Sequence, residues 1–135
     1  MSYLLDTNAC IAALNGRPRV VAERIASAIA QQGPVSVSTL SVFELWYGIG
    51  KSVHVEQNVR ALDTLLAPLQ LVSFDREAAR IAGEIRAHLE RAGKPIGPYD
   101  YLVAAQAIRH GLTLITANEK EFSRVPGLRW ENWAV

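Results

Sequence analysis

The stretch Tyr3-Leu4-Leu5-Asp6-Thr7-Asn8 decides the fold, because a short apolar strand ends there in a carboxylate followed by two residues that favour helix starts. In parallel α/β sheets, ligands bind at the carboxyl ends of strands, in the crevice where the strand order reverses. A carboxylate at residue 6 is well placed in such a crevice to hold a divalent cation through oxygen. Aspartate is also a favoured N-cap, so this stretch alone supports a structural role for Asp6 equally well.

Apolar segments along the chain alternate between short runs typical of strands and longer runs with helical periodicity. The predicted strands cover residues 3–5, 35–37, 69–74, 112–115 and 128–130. The predicted helices cover residues 7–14, 18–33, 40–49, 59–66, 76–89 and 100–110, the fifth of them capped by Asp75. This alternation favours an α/β fold with a mainly parallel sheet and helices on both of its faces.

The bulk composition fits one compact domain spanning residues 1–135. Of the 135 residues, 50% are hydrophobic, which suffices for a proper core, and 14 basic residues nearly balance 13 acidic ones. Cys10 is the only cysteine, which excludes a disulfide framework, and its apolar neighbours predict a small buried thiol. No apolar run approaches the length of a membrane span, so we expect a cytoplasmic protein without a membrane partner.

Two further carboxylates, Glu44 and Asp100, occupy positions like that of Asp6. Each has a structural alternative: residues 41–44 match a capping box that would engage Glu44, and Pro98 opens a helix whose first turn favours Asp100. Apolar neighbours of all three carboxylates indicate burial, and buried carboxylates without a cation are costly. The three together therefore favour a metal site.

Motifs spread over nearly the whole chain match those of one known protein family in their order and spacing. They are LDTN at 5–8, SVFELWYG at 41–48, GKPIGPYD at 93–100, TANEKEF at 116–122, RVPGL at 124–128 and Trp133. With these motifs the chain resembles the PIN-domain ribonucleases, and more closely the VapC-type toxins of bacterial type II toxin–antitoxin pairs. The resemblance implies a PIN-like three-layer α/β/α fold whose mainly parallel central sheet has four to five strands.

By this resemblance, the family's acidic residues fall on Asp6, Glu44 and Asp100, and Asn118 stands where many PIN domains have a fourth acidic residue. These four residues are the expected catalytic set. An asparagine offers a carbonyl oxygen but no charge, so the site is expected to hold one divalent ion firmly and a second one weakly. Nearby polar residues are secondary candidates, and the two glutamates among them are also typical of an ordinary surface. These candidates are Thr7, Asn8, Thr116, Glu119 and Glu121.

The resemblance implies cleavage of RNA, which requires an activated water and stabilisation of negative charge at the phosphate. Mg²⁺ or Mn²⁺ held by oxygen ligands supplies both. We expect Asp6 and Asp100 to be direct metal ligands and Glu44 to orient or deprotonate the water. Metal-independent cleavage is not expected, because the three histidines lie in polar settings typical of a surface. They are His54, His88 and His110.

The resemblance also implies partners and a substrate. The expected partners are a cognate small antitoxin that blocks the site, a second copy in a homodimer, and a larger toxin–antitoxin assembly in which only the antitoxin contacts DNA. The expected substrate is single-stranded or looped RNA, and tRNA in particular, because residues 116–133 are most similar to toxins that act on tRNA. Cleavage of tRNA would arrest translation.

Aromatic residues near the predicted site have two possible roles. Loops of RNA expose bases that stack on residues such as Tyr99, whereas core packing is the favoured role of Trp46. The third helix carries more apolar residues than its own core needs, which predicts a landing surface for the antitoxin or for a second toxin. These residues are Val42, Phe43, Trp46, Tyr47 and Ile49.

Two alternatives come from other classes of protein. A phospho-receiver domain binds Mg²⁺ through aspartates, but it needs an acidic pair after the first strand and a lysine that ends the last strand. This chain has Asp6-Thr7 and lacks such a lysine. A catalytically silent PIN domain that binds RNA or protein would keep the fold, with Asn118 as the relic of a lost site.

Overall fold

The computed structural model describes residues 2–31 and 33–135, and within these ranges it contains five strands and seven helices. The strands are β1 (Tyr3–Leu5), β2 (Val35–Ser38), β3 (Gln70–Val72), β4 (Thr113–Ile115) and β5 (Trp130–Glu131). The helices are α1 (Thr7–Asn15), α2 (Arg19–Ala30), α3 (Thr39–Gly50), α4 (Val55–Leu66), α5 (Arg76–Arg91), α6 (Pro98–His110) and α7 (Glu119–Phe122).

All five strands run parallel in one sheet of order β3-β2-β1-β4-β5, which confirms the predicted parallel sheet of four to five strands. The central strand is β1, in which Leu4 is paired with Ser36 of β2 and with Leu114 of β4. The chain builds β1, β2 and β3 outward and then returns to the other side of β1 for β4. The strand order therefore reverses between β1 and β4, which places a ligand-binding crevice at their carboxyl ends.

Two cores cover the two faces of the sheet, because successive side chains of a strand point to opposite sides. Leu4 and Leu114 belong to the core packed against α5 and α6. Leu5 and Ile115 belong to the other core, to which α1, α2, α3 and α4 contribute. The result is the predicted three-layer α/β/α arrangement.

Short polar side chains after the strands start the helices. Asp6 is the N-cap of α1, and Asp75 is the N-cap of α5 as predicted. Ser38 caps α3, because its hydroxyl accepts the backbone N–H two residues further on. The helix therefore begins at Thr39, and the capping box suggested for residues 41–44 is wrong, since those residues already lie inside the helix.

Several elements differ from the sequence-based expectation. The helix expected at 59–66 begins at Val55, and the strand expected at 69–74 covers only Gln70–Val72. The helix α7 was not predicted from the sequence, because four residues are too few to show helical periodicity. The last strand lies at Trp130–Glu131 rather than 128–130, in register with β4. The helix expected at 18–33 ends at Ala30, and residue 32 lies outside the described residues.

The predicted buried thiol is confirmed, since Cys10 is fully buried in α1. Burial raises the pKa of this thiol to about 12, which makes it an inert structural group. Within residues 2–31 and 33–135, no helix combines the length and the apolarity that crossing a membrane requires.

Candidate active site

A cavity of about 510 Å³ opens at the carboxyl end of β1 and is lined by residues of α1, α3 and α6. Its lining brings together the three predicted carboxylates, Asp6, Glu44 and Asp100. The remaining lining residues are polar or apolar, and no lysine, arginine or histidine is among the described residues that line it. They are Thr7, Asn8, Ile11, Phe43, Tyr47, Tyr99 and Val103.

Asp6 is held firmly by its position between β1 and α1. Its side chain is only 6% exposed, and its Oδ1 accepts the backbone N–H of Ala9 at 2.7 Å. Burial raises the pKa of this carboxyl above its ordinary value, and the charge of Glu44 raises it further, while hydrogen bonds from Thr116 and Ala9 oppose the shift. The capping role and a role in the site are therefore compatible, because the cap engages one oxygen of the carboxylate.

Glu44 is tied to α1 by a single strong contact. The Thr7 hydroxyl donates a hydrogen bond to Glu44 Oε1 at 2.7 Å, which joins the first turn of α1 to the middle of α3. This contact gives the secondary candidate Thr7 a definite place in the site. We call Asp6, Thr7 and Glu44 the first wall of the cavity.

Asp100 lies in the first turn of α6, where it faces other carboxylates. Its pKa is raised to about 7, first by burial, then by a hydrogen bond with Glu121 and the charge of that residue, and also by the charges of Asp6 and Glu44. When no cation is bound, the raised pKa therefore favours the protonated Asp100 carboxyl below about pH 7, with Glu121 as its hydrogen-bond partner.

Glu121 contacts Asp100, which lines the cavity, and it is half-buried rather than exposed. It accepts the Asn118 Nδ2 amide at 2.7 Å and the backbone N–H of Gly97, and its pKa is lowered first by its hydrogen bond with Asp100. Asn118 is the N-cap residue of α7, and its side chain contacts Glu121. We call Asp100, which lines the cavity, together with Asn118 and Glu121, which lie outside its lining, the second wall.

Gly97 contacts the site in a way that the sequence analysis did not predict. A Cβ at Gly97 would stand 3.0 Å from Asp100 Oδ2, closer than ordinary contact. Its φ of −59° suits any residue, so the reason for glycine here is space for the carboxylate and not backbone freedom. A glycine directly before the N1 proline of α6 was the available signal.

The other candidates are spread more widely. Asn8 lines the cavity and is exposed, whereas Thr116 is buried, hydrogen-bonds to Asp6 and accepts the Asn118 N–H at 2.9 Å. Glu119 is exposed and accepts the Asn132 amide at 2.8 Å, outside the cavity. The three histidines are exposed, as predicted: His54, His88 and His110.

The aromatic residues of α3 do not all behave as expected. Trp46 is 41% exposed, so the core-packing role favoured for it is wrong. Phe43 and Tyr47 are exposed and line the cavity together with Tyr99. Ile49, by contrast, is buried in the core and is not part of any landing surface.

The donor set suits a hard divalent cation, because all three carboxylates offer only oxygen and no described basic residue in the lining balances their charge. Within the described ranges, no three side chains of Asp, Glu, His or Cys stand close enough to hold one ion together. Mg²⁺ is usually bound by one or two carboxylates and keeps several waters. The assignment of two direct protein ligands stays a prediction.

Comparisons with known proteins give the family. The profile of the PIN domain matches residues 3–128. A tRNA(fMet)-specific endonuclease VapC from Shigella flexneri is 37% identical over 134 residues, or 99% of each chain, and ribonuclease VapC2 from Rickettsia felis is 39% identical over 133 residues, or 98% of each chain. The solved structure of VapBC2 from Rickettsia felis, bound to a DNA fragment from their promoter, superposes with a TM-score of 0.92 at 38% identity, covering 98% of this chain and 99% of that one.

The chain therefore belongs to the PIN-domain family and, within it, to the VapC ribonucleases. The resemblance inferred from the sequence motifs is confirmed. The same family membership removes the phospho-receiver alternative.

Proposed function

We propose that this protein is an endoribonuclease toxin that uses Mg²⁺ or Mn²⁺ to cleave tRNA and so arrests translation. The observation that carries the proposal is the convergence of Asp6, Glu44 and Asp100 on one cavity, at the point where the strand order reverses. Membership of the VapC ribonucleases supports RNA as the substrate. A silent binding module has less support, since it has no use for three facing carboxylates whose burial and repulsion destabilise the fold.

Asp6 and Asp100 are the residues that would hold the cation. A bound divalent cation polarises the phosphate and lowers the pKa of a bound water. Asp6 is suited to this role because the Ala9 N–H fixes the orientation of its carboxylate. Asp100 must first release the proton that it shares with Glu121, so binding should tighten as the pH rises through about 7.

Glu44 is the proposed general base. Its Oε1 accepts the Thr7 hydroxyl, which leaves Oε2 to accept a hydrogen bond from the attacking water. Asn118 acts through Glu121 and is a positioning residue, because its amide holds the carboxylate that contacts Asp100. The missing charge at position 118 is thus compensated by a carboxylate three residues further on.

The proposed substrate is tRNA, and initiator tRNA is the first to test, because the Shigella flexneri relative is described as specific for tRNA(fMet). Purified protein is incubated with full-length initiator tRNA in Mn²⁺ or in EDTA, and the new 5′ ends are sequenced. We expect a discrete cut in Mn²⁺, no cut in EDTA and no cut by Asp100→Asn. Equal cutting by that variant would reject the assignment of the site.

The proposed partner is a small antitoxin, supported by the structure of VapBC2 from Rickettsia felis. An apolar groove leads from the cavity past Ile11 and Leu14 across α4, and opens into a wider depression of about 600 Å³ between α1, α2 and α4. An amphipathic antitoxin helix fits such a groove, with a basic residue reaching towards Asp6 and Asp100. We propose that DNA binding belongs to the antitoxin and that the toxin forms a homodimer in the assembly.

Expression in cells tests the toxin role separately from the chemistry. The wild type alone should stop growth, whereas Asp6→Asn alone, or the wild type with the neighbouring small reading frame, should not. If the wild type alone is harmless while the purified protein cleaves tRNA, the nuclease assignment stands and the toxin assignment fails.

A further inference from the structure

Two exposed aromatic rings, which we call the aromatic rim (Phe43 and Tyr99), stand at the mouth of the cavity. Phe43 is 57% exposed and directly precedes Glu44, while Tyr99 is 42% exposed and directly precedes Asp100. The centroids of the two rings lie 6.4 Å apart, and the ring planes are tilted by 38°. A ring therefore accompanies a carboxylate on each side of the cavity.

The protein core does not explain the aromatic rim. On α3, Leu45 and Ile49 are the large side chains that pack inward, at 5% and 8% exposure. Phe43 lies on the cavity side of the same helix with most of its surface in water. Large apolar side chains grouped at the mouth of a polar site mark a surface that binds something flat or apolar.

The charge of the cavity indicates how a polyanion can bind there. Three carboxylates line the cavity, and none of the described lining residues is basic. The protein therefore repels a phosphate backbone at the point where the backbone must be cut, unless a cation intervenes. Affinity at this point needs a contribution that does not depend on charge, and stacking of a base on an aromatic ring supplies one.

A stripe along α3 continues from the aromatic rim. Phe43, Tyr47 and Lys51 follow one another at intervals of four residues, the first two within α3 and Lys51 at its C-cap, over about 12 Å. The Lys51 Nζ lies 4.3 Å from the centroid of the Tyr47 ring. Lys51 therefore offers a cation to a strand that continues along α3 from the aromatic rim.

We infer that Phe43 and Tyr99 form a stacking platform for one unpaired base next to the scissile phosphate, an inference that rests on the proposed function. The occupant is a nucleobase because the platform shares its cavity with the carboxylates that face the phosphate. The platform makes the enzyme prefer unpaired RNA, because a base inside a helix presents no free face. Lys51 then contacts a phosphate further along the strand.

The test combines protein variants with abasic RNA. Initiator tRNA is cut by the wild type in Mn²⁺, the cut is mapped, and the same tRNA is prepared with a single abasic nucleotide on either side of it. We expect kcat/KM to be about tenfold lower for one of the two abasic substrates than for intact tRNA. Phe43→Ala and Tyr99→Ala should each lower kcat/KM on intact tRNA by a similar factor, with little further loss on the abasic substrate.

Matched controls separate stacking from other effects. Tyr99→Phe keeps the ring and should lose much less activity than Tyr99→Ala. Trp46→Ala, whose ring is exposed on α3 outside the cavity, should cleave like the wild type. Calorimetric Mn²⁺ binding should be unchanged in Tyr99→Ala. Lys51→Gln should reduce the salt dependence of tRNA binding by about one ion, while Tyr99→Ala should leave it unchanged.

Each contrary result has a distinct meaning. If the wild type cleaves all three substrates equally, or if the losses from protein and RNA changes multiply, the platform is rejected and the proposed nuclease stands. If the ring variants change only the oligomeric state, the aromatic rim is an interface between copies and the inference is wrong. If the wild type does not cleave intact tRNA in Mn²⁺, the proposed substrate fails and the platform fails with it.

Discussion

The two walls of the cavity hold their carboxylates in opposite ways. In the first wall, Asp6 and Glu44 accept hydrogen bonds from the fold itself, one from a backbone N–H and one from the Thr7 hydroxyl, both at 2.7 Å. In the second wall, Asp100 hydrogen-bonds to another carboxyl group, that of Glu121, and its pKa rises to about 7. Folding therefore fixes the orientation of the carboxylates in the first wall, whereas the second wall pairs two carboxyl groups and raises the pKa of Asp100.

This difference shows how one small domain tolerates several facing carboxylates. Like charges at short range destabilise the fold, and protonation of one of them relieves the repulsion. The second wall supplies that relief, because Asp100 shares its proton with Glu121 while Glu121 stays fixed by the Gly97 N–H and the Asn118 amide. A cation would replace the proton in the active protein.

The largest expected effect comes from breaking the first wall at Asp6. Asp6→Asn keeps an N-cap but removes the charge, so RNA cleavage should fall by more than about 100-fold while stability without metal holds or rises. Asp6→Ala removes the cap as well and should lose about 1 kcal/mol in the free energy of unfolding. Cleavage assays and urea denaturation measure the two effects, and normal cleavage by Asp6→Asn would contradict the role of this wall.

The second wall predicts a pH dependence of stability in the metal-free protein. The pKa of Asp100 is about 7 in the fold against an ordinary 3.8, so in this window the folded state keeps a proton that the unfolded chain releases. Stability should therefore fall as the pH rises through the window, and the loss is complete above about 7. The lowered pKa of Glu121 acts in the opposite direction, but only below its ordinary 4.5.

Urea denaturation in EDTA across this pH range checks the prediction. In Asp100→Asn, the free energy of unfolding should fall less steeply with pH than in the wild type. The variant should also be more stable than the wild type above about pH 7. If the free energy of unfolding of the variant falls equally steeply with pH, the group that binds the proton is not Asp100.

Substitutions of Thr7 test whether cleavage depends on the hydrogen bond from the Thr7 hydroxyl to Glu44. Thr7→Val removes the hydroxyl that fixes Glu44 Oε1, so cleavage should fall by about tenfold with tRNA affinity and stability nearly unchanged. Thr7→Ser keeps the hydroxyl and serves as the matched control. Equal rates for the two variants would mean that Glu44 is oriented by something else.

A substitution of Gly97 tests the second wall, because it displaces the Asp100 carboxylate slightly. Gly97→Ala brings a Cβ to 3.0 Å from Asp100 Oδ2, so the carboxylate must shift and cleavage should fall by about three- to fivefold without loss of stability. Gly83→Ala, where a Cβ meets nothing within 4 Å, should leave cleavage unchanged and stabilise α5 by about 1 kcal/mol. An unaffected rate in Gly97→Ala would show that the position of Asp100 tolerates such a shift.

The sequence predicted the first wall better than the second. Strand β1 and helix α1 have clear patterns and a sharp junction at Asp6, so the strand and the start of the helix were predicted correctly, and α1 extends only one residue beyond its predicted end. The second wall depends on α7, which is too short for a periodic signal. Without α7, Glu121 was indistinguishable from a surface glutamate, and the local sequence does not show that it contacts Asp100.

The ends of α3 show a second reason why local patterns fail. Ser38, Thr39 and Ser41 are all competent to cap a helix, and only the end of β2 decides that Ser38 does so. The exposure of Trp46 could not be predicted either, because an apolar run such as Leu45-Trp46-Tyr47 indicates burial whichever face of the helix it occupies. Tertiary contacts settle both points.

Calorimetry of Mn²⁺ binding tests most directly the central claim that the second wall holds a proton in exchange for a cation. Titrations at about pH 6, in two buffers of different ionisation enthalpy, count the protons released on binding. We expect the wild type to release close to one proton and Asp100→Asn to bind Mn²⁺ weakly, with fewer protons released. Binding by the wild type without proton release, or with equal release by Asp100→Asn, would contradict the account.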